Sequence, residues 1–378
     1  MAKRLGWGLG LLLAALIAGL FTTIGRGLAG EDEAGELAER LLRLHQDYRP
    51  RSMLQTAGHP VERARFPVAD VHCHWNAEVE PAALVADMDR LEIAYAVNLS
   101  GGWGDSLVAM LERYQRFAPD RFEILVNVDS SEVDEPGFGS KWAGVLEEAS
   151  AQGAAGLKIF KSLGLTIKDD TGQVVAIDDP RLDPIWAKCG ELGMPVLIHA
   201  ADPLAFFEPI DRFNERLMQL GRHPDWSFHG PQFPDREEVL EQRNRVLAKH
   251  PGTRFIGAHL GGYAEDLAAL ERTLDAHPNL VVDITGRVAE LGRQPYTARR
   301  FFLKYADRIL FGTDRYPGRP SQPRHRVYFR FLETDDEYFE YHEHDFPPTG
   351  EWRIHGIFLP DDVLKKVYHQ NANELFRK

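Results

Sequence analysis

The chain has little cysteine and fewer basic than acidic residues. Only two of its 378 residues are cysteines, Cys73 and Cys189, which is far too few for a disulfide scaffold, so a buried core must stabilise the fold. The 44 Lys and Arg against 57 Asp and Glu leave a net charge of −13, which argues against a nucleic-acid backbone or an anionic membrane surface as the main partner. Hydrophobic residues at 44% and charged residues at 27% are near globular averages, so disordered, collagen-like and polytopic membrane classes are poorly supported.

Three motifs with a known mechanism are also missing from the sequence. No G-x-G-x-x-G turn follows the first apolar run, which weakens a dinucleotide-binding sheet. No G-x-S-x-G elbow is present, so a serine hydrolase of that type is not supported. A phosphate-binding P-loop is absent as well, which removes the support for P-loop nucleotide hydrolysis.

The first thirty residues contain no acidic residue. They begin with Lys3 and Arg4, continue with an apolar run over 5–24 and end in a small-residue stretch over 27–30, which is typical of an export segment. The run approaches the ~20 residues of a membrane helix, so a cleaved signal peptide and a retained membrane anchor both stay open. We expect an exported protein, periplasmic or extracellular, that contacts a membrane only if this segment is retained.

The rest of the chain has the pattern of one large α/β domain. Residues 31–65 are expected to form a linker with an amphipathic helix, and residues 66–378 the main domain, in which short apolar runs alternate with longer amphipathic stretches. Eight strand–helix units predict a closed (β/α)8 TIM barrel, with its active site at the carboxyl ends of the strands. An open doubly wound sheet is the alternative. The eight runs are Val68–His72, Tyr95–Leu99, Glu123–Asp129, Ala155–Phe160, Pro195–His199, Arg254–His259, Leu280–Ile284 and Arg308–Thr313.

Several of these runs end in residues that can bind a metal ion. The first run leads to His72 and His74, and alternation along a strand points both imidazoles the same way. Other runs lead to His199, His259 and Asp314. Because the carboxyl ends of barrel strands share one rim, we expect these five side chains to converge there. Imidazole and carboxylate ligands without a thiolate set suit Zn²⁺, with Mn²⁺ and Fe²⁺ as alternatives.

The ordered set His72-Cys73-His74, His199, His259 and Asp314 resembles the amidohydrolase superfamily. It is most similar to the amidohydrolase-2 branch, which includes enzymes like aminocarboxymuconate semialdehyde decarboxylase as well as lactone and other hydrolases. The resemblance covers about residues 66–376 and implies a distorted (β/α)8 barrel. It also implies that His72, His74, His199 and Asp314 ligate a catalytic divalent metal ion, with one ion favoured over two. His259 would then contact the activated water or the substrate.

Four further residues are candidates for binding the substrate: Lys158, Trp75, Arg287 and Arg315. Lys158 stands where binuclear members of the superfamily carry a carboxylated lysine between two metals. Three roles stay open for it: bridging two metals, binding a substrate carboxylate, or pairing with an acid. Trp75 directly follows the first histidine pair and would line the mouth of the barrel.

Asp70, two residues before His72, is expected to support a metal ligand from one layer deeper on the same strand face. A second H-x-H pair, at His342 and His344, lies in an acidic stretch and is expected to be solvent-exposed.

These residues predict a metal-dependent hydrolase of a carboxylic ester, lactone or amide. A divalent ion lowers the pKa of coordinated water from about 16 to about 7, so Asp314 is the expected proton acceptor and donor. His259 would orient the nucleophile or polarise the scissile carbonyl. The alternative is a non-oxidative decarboxylase of a small aromatic or unsaturated carboxylic acid, and a third hypothesis is a catalytically silent binding barrel. The expected partner is a small-molecule substrate and not nucleic acid, and a homo-oligomer is compatible with the sequence.

Overall fold

The computed structural model describes residues 40, 52–315, 322–342 and 349–377. The export segment predicted over 1–30 lies outside these residues, as does the linker helix except for Arg40, which is helical. The chain divides into two compact units, 1–55 and 56–378, and the second is described below. In the described part of the chain, no helix is both long and apolar enough to cross a membrane.

Eight parallel strands form the sheet, and their spatial order is their order in the sequence. Each strand falls within or overlaps one of the eight predicted apolar runs. The last run is the least regular, because only two of its residues are in ladder pairing with the seventh strand. The strands are β1 (Val68–Cys73), β2 (Ile93–Asn98), β3 (Phe122–Asn127), β4 (Gly156–Ile159), β5 (Val196–Ile198), β6 (Phe255–Gly257), β7 (Leu280–Asp283) and β8 (Ile309–Leu310).

The first and last strands meet and close the sheet into a barrel. Three backbone hydrogen bonds join the chain at β8 to β1: Val71 N to Phe311 O at 3.0 Å, Asp314 N to His72 O at 2.8 Å, and His74 N to Arg315 O at 2.8 Å. This contact, the β1/β8 seam, confirms the (β/α)8 barrel and excludes the open doubly wound sheet. All three bonds come from residues beyond the short β8, which explains why the last run is barely a strand.

Helices connect the strands and cover the outside of the barrel. Their ends follow local chemistry: helix α4 has Pro184 in its first turn and stops at Gly193, whose φ of 66° suits glycine. The helices are α1 (Pro81–Leu91), α2 (Gly104–Tyr114), α3 (Phe138–Gln152), α4 (Asp183–Leu192), α5 (Leu217–Arg222), α6 (Arg236–Lys249), α7 (Leu267–Ala276), α8 (Val288–Arg293), α9 (Pro295–Lys304), α10 (Gln322–Glu333), α11 (Asp361–Lys365) and α12 (Asn371–Phe376), with a π turn at Lys366–Gln370 between the last two.

Two apolar layers hold the barrel together, one inside the sheet and one between sheet and helices. The inner layer takes alternate strand residues such as Val97, Leu125, Leu197 and Ile256, and Leu375 of α12 joins it. The flanking strand residues pack outward against the helices. Leu157 and Ile159 belong to the outer layer, so the alternation along β4 points the Lys158 side chain towards the barrel interior.

A packed arm precedes the first strand. His59 N donates to Asp336 Oδ2 at 2.7 Å, and Arg65 N donates to Glu333 Oε1 at 3.0 Å. Ala64 N donates to Leu91 O of α1 at 3.3 Å. The compact unit therefore begins before residue 66, where the sequence placed the start of the domain.

Candidate metal centre and active site

Three of the predicted ligands meet at the carboxyl end of the β1/β8 seam. One ligand atom each from His72, His74 and Asp314 lies within 4.8 Å of the others. Asp314 Oδ1 is 3.5 Å from His74 Nε2 and 3.8 Å from His72 Nε2. Ligand atoms bound to one divalent ion at 2.0–2.2 Å lie about 3 to 3.5 Å apart, so this spacing fits such an ion. The donor set of two imidazoles and a carboxylate suits a first-row divalent metal.

The far nitrogen of each of these two imidazoles is already held. His72 Nδ1 is 2.8 Å from Asp283 Oδ2 at the end of β7, and His74 Nδ1 is 2.8 Å from Ser100 Oγ just beyond β2. A metal-binding histidine ordinarily has its other ring nitrogen fixed by such an acceptor, which sets the tautomer and the ring orientation. Both rings therefore turn Nε2 towards Asp314.

His199 and His259 extend the cluster along the rim. The ring centroids of His199 and His259 are 4.3 Å apart, and those of His259 and His72 are 4.9 Å apart. The group of ligand atoms that lie within 4.8 Å of one another contains His72, His74 and Asp314 but not His199. The structure therefore brings three of the four predicted ligands together, and His199 lies next to this group. Its Nε2 is buried without a hydrogen bond and lies 3.4 Å from Asp202 Oδ1.

His259 is held in a strained backbone conformation. Its φ is 57° and its ψ 49°, a left-handed conformation that is costly for a residue with a side chain and tends to persist at functional sites. Asp314 has a φ of 58° as well. His259 N donates to Asp283 Oδ1 at 2.9 Å, and His259 Nδ1 is 2.8 Å from the carbonyl of Thr285. A carbonyl only accepts, so Nδ1 carries the hydrogen and the neutral ring keeps an unprotonated Nε2.

The buried site favours neutral imidazoles. Burial, assisted by the charges of His72 and Lys158, lowers the pKa of His74 to about 2. Burial also lowers the pKa of His199 and of His259 well below the usual value. Neutral imidazole is the form that ligates a metal. Burial of Asp283 by itself raises its pKa, but the charge and hydrogen bond of His72 lower it on balance, so that carboxylate is ionised.

Two predicted substrate contacts are buried cations without an acidic partner. Lys158 is 1% exposed, and its Nζ makes no hydrogen bond. Burial lowers the pKa of Lys158 to about 8, against the opposing charges of Asp283 and Asp314. Arg287, at the start of α8, is 9% exposed and donates to Gly286 O at 3.0 Å, and in the described ranges no carboxylate lies within 4.0 Å of it.

The other two predicted contacts are placed differently. Trp75 is 4% exposed and packs against Tyr114 and Phe122 in the outer apolar layer, so it does not line the mouth. The chain turns outward after His74, and the indole gains more from burial against these rings than from solvent exposure. Arg315 donates to Asp87 Oδ2 at 2.8 Å, in an ion pair with α1 whose carboxylate also pairs with Arg90.

The strand face predicted for Asp70 and the exposure predicted for His342 were wrong, although Asp70 Oδ1 does accept a hydrogen bond from His72 N. Asp70 does not lie on the face of His72, because a register irregularity between Asp70 and Cys73 breaks the strand alternation. Its neighbours Ala69 and Val71 face the barrel interior, so Asp70 points towards the helices. The side chain of His342 is only 9% exposed, although the acidic stretch around it suggested full exposure; His344 lies outside the described residues.

Asp283 is the functional residue that the sequence interpretation missed. It is fully buried and accepts from His72 Nδ1, His259 N and Thr285 N, so it supports both sides of the cluster. The available signal was an acidic residue inside the apolar run of β7, which is costly unless the charge is paired.

A cavity of about 410 Å³ opens beside this centre at the carboxyl ends of β3 and β4. Lys158 and Phe160 line it, together with Trp103 and Trp186. The Phe160 ring lies 6.2 Å from the His74 ring, so the cavity adjoins the candidate metal centre. Its volume is within the range of small-molecule sites.

Comparisons with known proteins agree with this architecture. A family model described as amidohydrolase matches residues 69–378. No curated protein matches the chain. The fold resembles an uncharacterized TIM-barrel protein from Bordetella bronchiseptica at 18% identity and a TM-score of 0.50, covering 82% of this chain and 98% of that one. It also resembles 2,6-dihydroxybenzoate decarboxylase from Rhizobium at 15% identity and a TM-score of 0.51, covering 82% and 98%. At such identities the likeness shows the fold alone.

Proposed function

The chain belongs to the amidohydrolase family, a family of metal-dependent enzymes, and on that premise we propose that it hydrolyses a carboxylic ester, lactone or amide of a small organic substrate. The observation that carries the proposal is the convergence of His72, His74 and Asp314, with the far nitrogen of each imidazole already fixed. Bringing these three polar side chains together costs free energy in desolvation and strain, which a bound metal ion would offset.

The metal would be held by His72, His74 and Asp314, with His199 as the fourth ligand from β5. Zn²⁺ is the expected ion and Mn²⁺ or Fe²⁺ the alternatives, because the donors are imidazole and carboxylate. A single ion is favoured, since the described part of the chain has one such cluster at the mouth of the barrel. When bound, a divalent ion supplies a Lewis acid that activates water at neutral pH.

Two residues are proposed to move protons. Asp314 is 31% exposed and can therefore reach both solvent and substrate, so it would take a proton from the attacking water and give it to the leaving group. The unprotonated Nε2 of His259 would accept a hydrogen bond from that water and fix its direction of attack. The backbone strain at both residues supports these roles, because such strain persists where function requires an exact geometry.

The substrate is proposed to be a small molecule bound partly through Lys158 and Arg287. Both cations are buried and have no carboxylate partner among the residues that the structure describes, an arrangement that a negatively charged group of the substrate would compensate. The proposed contact set does not include Trp75, which packs against Tyr114 and Phe122, or Arg315, which pairs with Asp87. This pair of cations also favours a second candidate function, the decarboxylation of a small carboxylic acid, as its fold relative from Rhizobium carries out on 2,6-dihydroxybenzoate. His259 or Asp314 would then deliver a proton to the carbon that loses CO₂.

One experiment separates the candidate functions. The purified protein is assayed for bound metal and then incubated with lactones, esters and amides, and in parallel with aromatic and unsaturated carboxylic acids. Proton release measured by pH-stat for the lactones and esters, or amine release for the amides, indicates hydrolysis, and release of CO₂ indicates decarboxylation. His72→Ala is expected to lose both metal and turnover. A folded protein without stoichiometric transition metal would contradict both enzyme proposals and leave the silent binding barrel.

Export is proposed from the first thirty residues alone. The basic start and apolar run of 1–30 support a periplasmic or extracellular location, or anchoring through residues 5–24. Cell fractionation with N-terminal sequencing of the mature protein tests this. A cytoplasmic protein that retains its first residues would contradict it.

A further inference from the structure

The β1/β8 seam carries the whole three-residue cluster. His72 and His74 lie on its β1 side, and Asp314 lies on its β8 side, so their spacing depends on how the two edges are joined. Ladder pairing contributes little, because β8 has only two strand residues and both pair with β7. The distance between the two edges therefore depends on the three backbone hydrogen bonds of the seam and on the side chains that bind the backbone beside them.

The carboxylate of Asp70 crosses the seam. Its Oδ1 accepts from His72 N at 3.3 Å and from Thr313 N at 3.1 Å, so one oxygen binds the backbone next to ligands on both edges. Its Oδ2 accepts from Thr313 Oγ1 at 2.6 Å and from His325 Nε2 at 2.9 Å. Asp70, Thr313 and His325 are each at most 1% exposed, so water does not compete for these bonds.

His325 connects this carboxylate to the helix layer. It lies on α10 and packs against Phe311 and Phe329 of the outer apolar layer, with ring centroids 6.4 Å and 6.2 Å away. The imidazole is thus fixed by apolar packing on one side and by Asp70 on the other. Four donors from three separate segments therefore meet at a single buried side chain.

We propose that Asp70, Thr313 and His325 form a seam clamp: positioning residues that hold His72 and Asp314 at metal-binding distance across the junction of β1 and β8. Thr313 and Asp314 are consecutive, so a shift of Thr313 moves Asp314 directly. The clamp does not touch the proposed substrate or the metal. The effect of the clamp on metal affinity rests on the proposed function. Its effect on the position of the two barrel edges does not.

Thr313→Val tests the clamp, because valine has nearly the shape of threonine but lacks the hydroxyl donor. Thr253→Val is the matched control: Thr253 is 2% exposed, donates through Oγ1 to Trp186 O at 2.8 Å, and lies just before β6 at the opposite end of the barrel. Both variants lose one buried hydroxyl bond, but only one of those bonds lies at the seam. Thr313→Ser keeps the hydroxyl and serves as the rescue variant.

Two measurements on chelator-treated protein give the answer. Hydrogen exchange of residues 309–315 is expected to be faster in Thr313→Val than in the parent, and unchanged in Thr253→Val. The dissociation constant for added Mn²⁺ is expected to rise about 10- to 100-fold in Thr313→Val, as for other losses of groups that support a ligand, and to stay near the parent value in Thr253→Val and Thr313→Ser.

The clamp is wrong if Thr313→Val exchanges and binds Mn²⁺ like the parent, or if Thr253→Val shows the same changes. A parent protein that binds no Mn²⁺ or Zn²⁺ contradicts the proposed function instead, and the exchange of residues 309–315 without metal then decides on the clamp. Asp70→Asn combined with Thr313→Val provides a further check. Because both residues belong to one hydrogen-bond network, the double variant is expected to change the free energy of Mn²⁺ binding by less than the sum of the two single changes.

Discussion

Replacement of Asp283 by asparagine is the change that most directly tests the candidate metal centre. The Oδ1 of Asp283 accepts from two backbone N–H groups, so an asparagine oxygen takes that place and its amide nitrogen faces His72 Nδ1. An N–H group would then oppose the hydrogen on Nδ1. His72 can relieve the conflict by moving its proton to Nε2, the nitrogen that faces Asp314 and the proposed metal.

The size of the effect follows from the bond that is lost. A hydrogen bond to a charged group contributes about 1.5 to 3 kcal/mol, which corresponds to about a 10- to 150-fold weaker metal affinity. Calorimetric titration of chelator-treated protein with Zn²⁺ or Mn²⁺ measures it. Glu333→Gln is the matched control, since Glu333 is also buried and accepts from Arg65 N and Tyr368 Oη away from the candidate metal centre. We expect this control to lower the unfolding temperature without changing metal affinity. Parent-like affinity in Asp283→Asn, with a folded protein, would refute the reasoning.

Three other predictions concern the proton-transfer group, the substrate contact and the pH dependence of folding. Asp314→Asn should retain metal by elemental analysis and lose about 10²- to 10⁴-fold in kcat; unimpaired turnover would remove Asp314 as the acid–base group. Arg287→Met should raise KM about tenfold or more for a carboxylate-bearing substrate and leave a neutral ester unaffected, and equal changes for both would contradict an anion contact. Burial raises the pKa of Glu123 to about 7, although Arg377 Nη1 lies 2.9 Å from Glu123 Oε1. Between about pH 4.5 and 7 the folded state therefore binds one proton more than the unfolded state. The free energy of unfolding falls by up to about 3 kcal/mol as the pH rises through this range. Denaturant titrations of Glu123→Gln should lack this decline, and a parallel decline in the variant would assign it to another group.

Much of the architecture could be predicted because it depends on local periodicity. Eight apolar runs separated by amphipathic stretches contain the information for eight strands and their crossover helices. The amphipathic stretch over 236–250 forms α6 at Arg236–Lys249 for the same reason. The amphipathic stretch over 361–376 is interrupted by the π turn at Lys366–Gln370, in which Tyr368 donates a hydrogen bond to Glu333. That interruption depends on a partner 35 residues away, so periodicity did not reveal it.

The candidate site was likewise predictable only in part from the sequence. His72, His74 and Asp314 were predicted from their residue types at strand ends, because a barrel brings all such ends to one rim. Trp75 was expected at the mouth and Arg315 as a substrate contact, but Trp75 is packed in the outer layer and Arg315 is paired with Asp87. Sequence position indicates which end of the barrel a residue occupies. It does not indicate which neighbour competes for its side chain.

The sequence by itself therefore determined the class of fold, the rim on which the chemistry lies and the metal-binding residue types. The tertiary structure alone decided how those residues are oriented. His72 and Asp283 are 211 residues apart in the chain, and Asp70 and His325 are 255 apart, yet each pair is within hydrogen-bond distance. Such contacts arise only when the barrel closes and a local register irregularity puts Asp70 and His72 on different faces of β1. Local patterns carry no information about which distant segments closure will bring together.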